Sequence, residues 1–266
     1  MGQESRGHTL HVPARGPVLG GRGVPDNRGR SRLRAYHRAR AREAGQGTLR
    51  FRGDGRGRIL SRDRTALLVI GGDAPPFSAI EGRLPEFSFI CAADSGLDAL
   101  RSWGLRPDLV VGDMDSVSDP SILADYPDVL TFPRDKDELD TEIGLRELRS
   151  RGFGRIVMAG GGGGRLDHLL ALRSLLERPS GPDEWICRSE RVVRIDEPAR
   201  FSVSPGSIVS VFPLAAGASG MHSEGLKWPL DGLSWDASRF GVSNVAAKGE
   251  ILIDPGQRPV FAILPL

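Results

Sequence analysis

From residue 66 onward, short apolar runs alternate with stretches in which apolar residues recur at helical spacing. Residues 66–70, 87–93, 109–111 and 156–159 are of strand length and largely apolar on both faces. Between them, residues 97–103, 138–151 and 166–176 suit helices. The second carries Leu139, Ile143, Leu145 and Leu148 on an approximate apolar face that stops at Gly152. Apolar strands alternating with helices predict a buried parallel sheet with crossover connections, an α/β domain. After Gly181 the helical spacing is lost. Residues 185–187, 191–195, 207–212, 240–245, 249–253 and 260–264 are short strand-like runs separated by Gly, Pro, Asp and Ser. They predict a small all-β sandwich or barrel. No internal repeat marks a solenoid or propeller.

A parallel sheet collects its chemistry at one edge, because ligands bind beyond the carboxyl ends of the strands. Three of the runs end in acidic or glycine residues. Residues 87–93 lead into Asp94-Ser95-Gly96, and residues 109–111 into Gly112-Asp113-Met114-Asp115-Ser116. Residues 156–159 lead into a run of five glycines starting at Gly160, then Arg165-Leu166-Asp167-His168. That edge should hold carboxylates, a glycine cradle and an arginine, a set that suits a metal-bound polyphosphate.

Asp113 and Asp115 are two apart after a strand, so an extended backbone would point both carboxylates the same way. Like charges at that separation repel unless a cation lies between them, and a hard divalent ion such as Mg²⁺ is the natural occupant. The alternative is a polar turn in which Asp115 or Ser116 caps a following helix. In the acidic stretch 135–142, Lys136 would neutralise phosphate oxygens and Asp140 would complete the metal site. Alternatively Asp137 caps a helix whose dipole favours Glu138, Asp140 and Glu142. The glycine run, including Gly163 and Gly164, would let backbone NH groups approach an anion at a helix start. It is neither a dinucleotide fingerprint, since Arg165 stands where the last glycine is needed, nor a P-loop. Arg165 outweighs His168, a lone histidine at a helix start. Further on, Trp228 would stack on a flat cationic ring while Ser243 and Asn244 would hydrogen-bond a heterocycle. A core tryptophan and turn-forming polar groups are the alternative there.

Charge divides the chain unevenly. Residues 1–64 carry 16 Arg and no Lys against five acidic residues, a net +11, which leaves −9 for the rest of a chain whose total is +2. Rich in Gly and Arg and poor in apolar periodicity, this leader is expected to be disordered. With only Tyr36 and Phe51 as aromatics, it is expected to be dispensable, or to touch nucleic acid non-specifically through charge. The 39% hydrophobic composition of the whole chain suffices for a core. No run is long enough to span a bilayer and no signal-peptide pattern is present, so a cytoplasmic protein is expected. Cys91 and Cys187 lack metal-site spacing and should be reduced.

Taken in order, six blocks resemble the thiamine pyrophosphokinase (thiamine diphosphokinase) family, over roughly residues 66–264. They are Ala93-Asp94-Ser95-Gly96, Gly112-Asp113-Met114-Asp115-Ser116, Asp135-Lys136-Asp137-Glu138-Leu139-Asp140, Gly163-Gly164-Arg165-Leu166-Asp167-His168, Gly225-Leu226-Lys227-Trp228-Pro229-Leu230 and Val242-Ser243-Asn244. The resemblance implies a Rossmann-like nucleotide-binding domain over residues 65–181, a β-sandwich domain over 182–266, and a homodimer with active sites between subunits. It implies Mg²⁺-dependent transfer of the terminal diphosphoryl group of ATP to thiamine, giving thiamine diphosphate and AMP. Asp113, Asp115 and Asp140 match the metal-binding acids, and with Arg165 they would be catalytic. Asp94, Lys136, Arg165 and Asp167 match the nucleotide region, with Ser95, Gly96, Asp137, Gly163, Gly164 and His168 in the same blocks. Trp228, Ser243 and Asn244 fall where the family contacts thiamine. Leu139 departs from the pattern, since the family usually has Thr immediately before the second Asp of its third block. A different heterocyclic alcohol as acceptor, or a binding module without catalysis, are the rival readings.

Overall fold

The computed structural model describes Tyr36 and residues 61–266, apart from 136, 164 and 237. Strands β1 (Ser61–Val69), β2 (Phe87–Ala93), β3 (Leu109–Gly112) and β4 (Val129–Thr131) lie side by side in parallel. On the other side of β1 come β5 (Phe153–Ala159) and β6 (Glu184–Ile186), also parallel. Ala66, Leu67, Leu68 and Val69 of β1 and Ile156, Val157, Met158 and Ala159 of β5 are all fully buried. Both faces of these strands are therefore covered, which is why they read as continuous apolar runs.

Successive side chains point to opposite faces, and the core divides accordingly. Leu68 joins Ile143, Leu145 and Leu148 of α3 (Asp140–Ser150) and Leu172, Leu175 and Leu176 of α4 (Leu166–Glu177) on one face. Leu67 and Val69 join Ile80 of α1 (Ser78–Glu81) and Leu97 and Leu100 of α2 (Gly96–Ser102) on the other. Each large side chain fully buried this way contributes about 1.5–3 kcal/mol.

Two expectations about the leader need correction. β1 starts at Ser61, inside the segment assigned to the leader, and pairs there with Phe153 of β5. Tyr36 is helical, half-buried and packed against the cluster containing Leu97, Leu100 and Trp103, so at least one leader side chain docks on the core. The remaining leader positions lie outside the described residues, and with them the expected disorder and nucleic-acid contacts.

The strand-rich part continues the same sheet. β6 turns back through β7 (Glu190–Ile195), and β15 (Val260–Pro265), β9 (Ile208–Pro213) and β13 (Gly241–Val245) follow antiparallel, making one ten-stranded sheet. The expected change of texture at Gly181 is real, yet hydrogen bonding runs through it. A three-stranded antiparallel sheet of β11 (His222–Glu224), β14 (Glu250–Asp254) and β8 (Ala199–Ser202) shares a core with this half, built on Val209, Val211, Ile251, Ile253, Val260 and Leu264. A short pair, β10 (Ala218–Ser219) and β12 (Ser234–Trp235), lies beside them. The strands over 199–202, 218–219, 222–224 and 234–235 were not expected from the pattern, being too short or too polar to stand out.

Candidate active site

The chain leaves β1 toward β2 and leaves β5 toward β6 on the opposite side, so strand order reverses between β1 and β5. Such a switch point opens a crevice at the carboxyl edge. A cavity of about 360 Å³ lies there, lined by Gly71 and Gly72 after β1, Asp94 and Ser95 after β2, Ser116 after β3, Leu139 to Thr141 at the start of α3, and Gly161, Gly163, Arg165 and His168 after β5.

The glycine loop is tied down on both sides. Gly161 N donates to Gly71 O at 2.8 Å, Asp73 N to Gly162 O at 2.7 Å, and Gly160 N to Ile186 O at 3.1 Å. Gly163 has φ +66, and a Cβ on it would lie 2.6 Å from the Asp73 carboxylate. Only glycine meets both conditions there. Asp73 was not singled out in the sequence. Its position in the first loop after β1, at the carboxyl edge, was the available signal.

The acids converge through tight turns rather than extended chain. Met114 has φ 63, and Asp115 N donates to Asp113 Oδ1 at 3.1 Å. This side-chain turn replaces the expected extended Asp-x-Asp geometry and still brings the carboxylates together. No α-helix follows for Asp115 or Ser116 to cap; the next turn, Pro120–Asp125, is capped by Asp119. One oxygen each from Asp94, Asp113 and Asp115 lies within 4.8 Å of the others. Gly112, at φ +141, passes between Asp94 and Asp140, and a Cβ on it would lie 3.3 Å from each. Asp140 thus belongs to the same cluster from the α3 side, while Asp94 joins the trio in which Asp140 was expected.

These residues fit a hard cation. Asp94 Oδ1 is buried and accepts no hydrogen bond from the described residues. An unmatched buried acceptor beside two further carboxylates is costly unless a cation or donor arrives. Burial, with the Asp140 charge adding to it, raises the Asp94 pKa against the lowering effect of Ser116 and Ser95. The Asp115 carboxyl is held below its ordinary value by Ser116 and by Arg134. Arg134, whose Nε donates to Asp115 at 2.6 Å, is a functional candidate the sequence reading missed. It follows β4, a strand too short and too modestly apolar to be recognised, so its arrival at this edge was hidden.

The other expected residues divide. Ser95 Oγ would lie 2.3 Å from a Cβ on Gly71, so it underlies the first loop. At Gly96 a Cβ would lie 2.1 Å from Val69 O, which gives Gly96 a packing role between β1 and α2. Arg165 lines the cavity and pairs with Asp167, Nε to Oδ1 at 3.1 Å and Nη2 to Oδ2 at 2.5 Å. Asp137 is exposed and does not cap, because α3 starts at Asp140 with Leu139 as N-cap. Leucine offers no acceptor, so the cap is half-made: Leu139 N donates to Glu142 Oε2 at 3.2 Å. Lys136 and Gly164 lie outside the described residues.

Trp228, Ser243 and Asn244 do not line this cavity. Trp228 is 52% exposed, with Lys227 Nζ 4.6 Å above its ring. Asn244 Nδ2 donates to Trp228 O at 2.7 Å and its Oδ1 accepts from Trp228 N at 3.2 Å. Its amide is thereby committed to holding the tryptophan loop. Ser243 has φ 59, and its N donates to Ser210 Oγ at 3.2 Å.

Residues 82–185 match the model described as thiamin pyrophosphokinase, catalytic domain. Over those residues the chain is similar to the thiamine pyrophosphokinase catalytic domain. The matched span takes in β2 to β6 and the acids from Asp94 to Asp140. Solved structures share the fold. A thiamine pyrophosphokinase from Bacillus subtilis is 19% identical with a TM-score of 0.65, and a thiamin pyrophosphokinase family protein from Enterococcus faecalis is 19% identical with a TM-score of 0.64. Each covers 76% of this chain and 99% of its own. The thiamin pyrophosphokinase of Candida albicans, at 16% identity and TM-score 0.54, covers 77% of this chain and 89% of its own. No curated protein matches in sequence. None of the described helices is long and apolar enough to cross a membrane.

Proposed function

We propose that this protein belongs to the thiamine pyrophosphokinase family and is a thiamine diphosphokinase, transferring the diphosphoryl group of ATP to the hydroxyl of thiamine with release of AMP. The observation that carries this reading is the matched catalytic domain coinciding with a switch-point cavity that combines a glycine loop and clustered carboxylates. Transfer to an alcohol demands in-line placement of the hydroxyl and the β-phosphorus, so positioning and charge shielding dominate. Asp94, Asp113, Asp115 and Asp140 would hold Mg²⁺, which when bound shields the triphosphate. Asp113, Asp115, Asp140 and Arg165 form the catalytic set. The backbone around Gly161 and Gly163 cradles phosphate oxygens, with Lys136 and Arg165 supplying charge. Ser95, Gly96, Asp137, Gly164, Asp167 and His168 complete the nucleotide region, Asp167 through its ion pair with Arg165.

Trp228 would receive the thiazolium of thiamine, since its face already accepts the ammonium of Lys227. Ser243 and Asn244 would fix the Trp228 loop. Because these residues stand apart from the cavity, a homodimer in which a second copy delivers them to this pocket accounts for both halves of the site. Exposed Ile208, Trp228, Phe240 and Val242 provide apolar surface for that contact. Substrates handled in solution by such an enzyme suit a cytoplasmic location.

Incubation with ATP, Mg²⁺ and thiamine, with products separated, tests the reading. AMP and thiamine diphosphate in equal amounts are expected. AMP formation only with another heterocyclic alcohol would move the assignment to that acceptor, and binding without turnover would make the chain a binding module.

A further inference from the structure

Strand β4 brings Arg134 to the acid cluster. Thr131 pairs with Gly112 of β3, and Phe132 N donates to Gly112 O at 3.0 Å, so the two chains leave the sheet side by side. Arg134 and Asp115 each stand three residues past that Thr131–Gly112 pair, with Pro133 restricting the backbone on the arginine side. Arg134 Nε donates to Asp115 Oδ2 at 2.6 Å, and its Nη2 is ion-paired with the same oxygen. Ser116 Oγ donates to Asp115 Oδ1 at 2.9 Å. Both oxygens of Asp115 are therefore engaged. Asp94 Oδ1, in the same trio of acids, is buried and accepts no hydrogen bond from the described residues.

A divalent cation seated among Asp94, Asp113 and Asp115 would meet the guanidinium on a shared carboxylate, and positive groups at that range repel. The Arg134 side chain is 76% exposed, and an exposed ion pair is weak enough to exchange readily. A phosphate offers a guanidinium the same planar, two-oxygen match that a carboxylate does. Metal-bound polyphosphate thus supplies both an ion to take Asp115 and an acceptor to take Arg134.

We infer that Arg134 is an exchangeable counter-charge of the acid cluster, paired with Asp115 while the nucleotide is absent and with polyphosphate oxygens once the metal-bound nucleotide is seated. It thereby weakens capture of a free cation and strengthens capture of the cation together with its nucleotide. The inference rests on the cation site proposed above.

Two titrations of the full chain test it. Free Mn²⁺ is followed by its electron paramagnetic resonance. At saturating Mn²⁺, α,β-methylene-ATP, whose bridging carbon prevents transfer, is titrated calorimetrically. Arg134→Gln should bind free Mn²⁺ about threefold more tightly, as release of an exposed pair implies, and the Mn²⁺-bound nucleotide about tenfold less tightly, as loss of a charge-assisted contact implies. Arg134→Lys keeps the charge without the fork and should fall between wild type and Arg134→Gln in both titrations. A merely structural role would move both affinities the same way. Changes in one direction, or none, would overturn the inference and leave the cation site standing, provided that an Asp113→Asn/Asp115→Asn variant loses Mn²⁺ binding. If that variant binds Mn²⁺ like the wild type, the cation site is overturned and the inference with it.

Discussion

Asp94, Met114 and Ser243 are the described non-glycine residues with positive φ, at 48, 63 and 59 degrees. All three fall inside blocks picked out for chemistry. Left-handed backbone costs about 1–2 kcal/mol for most L-residues, so it persists where the surroundings impose it. At Asp94 and Met114 that strain turns the carboxylates inward. If the proposed cation site holds, Asp113→Asn and Asp115→Asn should each lower turnover by about a hundredfold or more at ordinary Mg²⁺ with melting temperature unchanged, because each would remove a ligand charge and no packing. Asp140→Asn should behave alike; mild impairment would leave it a helix-terminus charge. Trp228→Ala should raise the KM for thiamine about tenfold and leave that for ATP alone, the loss expected for a stacked cation. Equal changes in both constants would make the tryptophan structural.

Among the elements, α3 has the least complete start. Leu139 stands at its N-cap without an acceptor side chain. Leu139→Thr should raise the melting temperature, since a hydroxyl cap is worth about 1 kcal/mol. It should also raise turnover, because Leu139 lines the cavity; an unchanged rate with raised stability would confine its role to the cap. The three-stranded sheet has a pH-sensitive fastening. His222 of β11 pairs through Nδ1 with Asp231, which raises the histidine pKa above 6.5 and lowers the aspartate below 3.8. The raised histidine stabilises fully below its unfolded value and ceases to do so as pH rises through the folded one. The depressed aspartate stabilises above its unfolded value and ceases to do so as pH falls through the folded one. The melting-temperature gap between wild type and His222→Gln should therefore be largest near pH 5, between those ordinary values, and shrink toward pH 9. A gap independent of pH would remove the ion pair as its cause.

At the scale of the whole molecule, one ten-stranded sheet joins the parallel α/β half to the antiparallel half. The two should unfold together rather than as separate units. A protein spanning residues 58–266 keeps all of β1 and every catalytic candidate, but loses Tyr36 from the cluster containing Trp103. It should retain the activity and the assembly mass of the full chain, and melt in one transition a few degrees below it, as expected for loss of about 1 kcal/mol of apolar cover. Loss of activity or of assembly mass would make the leader part of the working enzyme.

Local pattern alone picked out β1, β2, α2, β3, α3, β5 and α4 in order, because doubly buried strands and amphipathic helices carry distinct apolar periods. It also picked out Asp94, Asp113, Asp115, Asp140 and the glycine run, since these residue types stop strands and hold charge at one edge. Other features depended on partners distant in sequence. Arg134 reached Asp115 through β4, Asp73 came beneath Gly163 through a backbone bridge, and Glu184 collected arginines from the turn after α1, from β5 and from β7. Asn244 looked available to a ligand until its amide was found closed on Trp228. The continuity of the sheet past Gly181 was likewise settled by tertiary structure, because the register that pairs β6 with both β5 and β7 is written in hydrogen bonds between segments, not in the composition of either one.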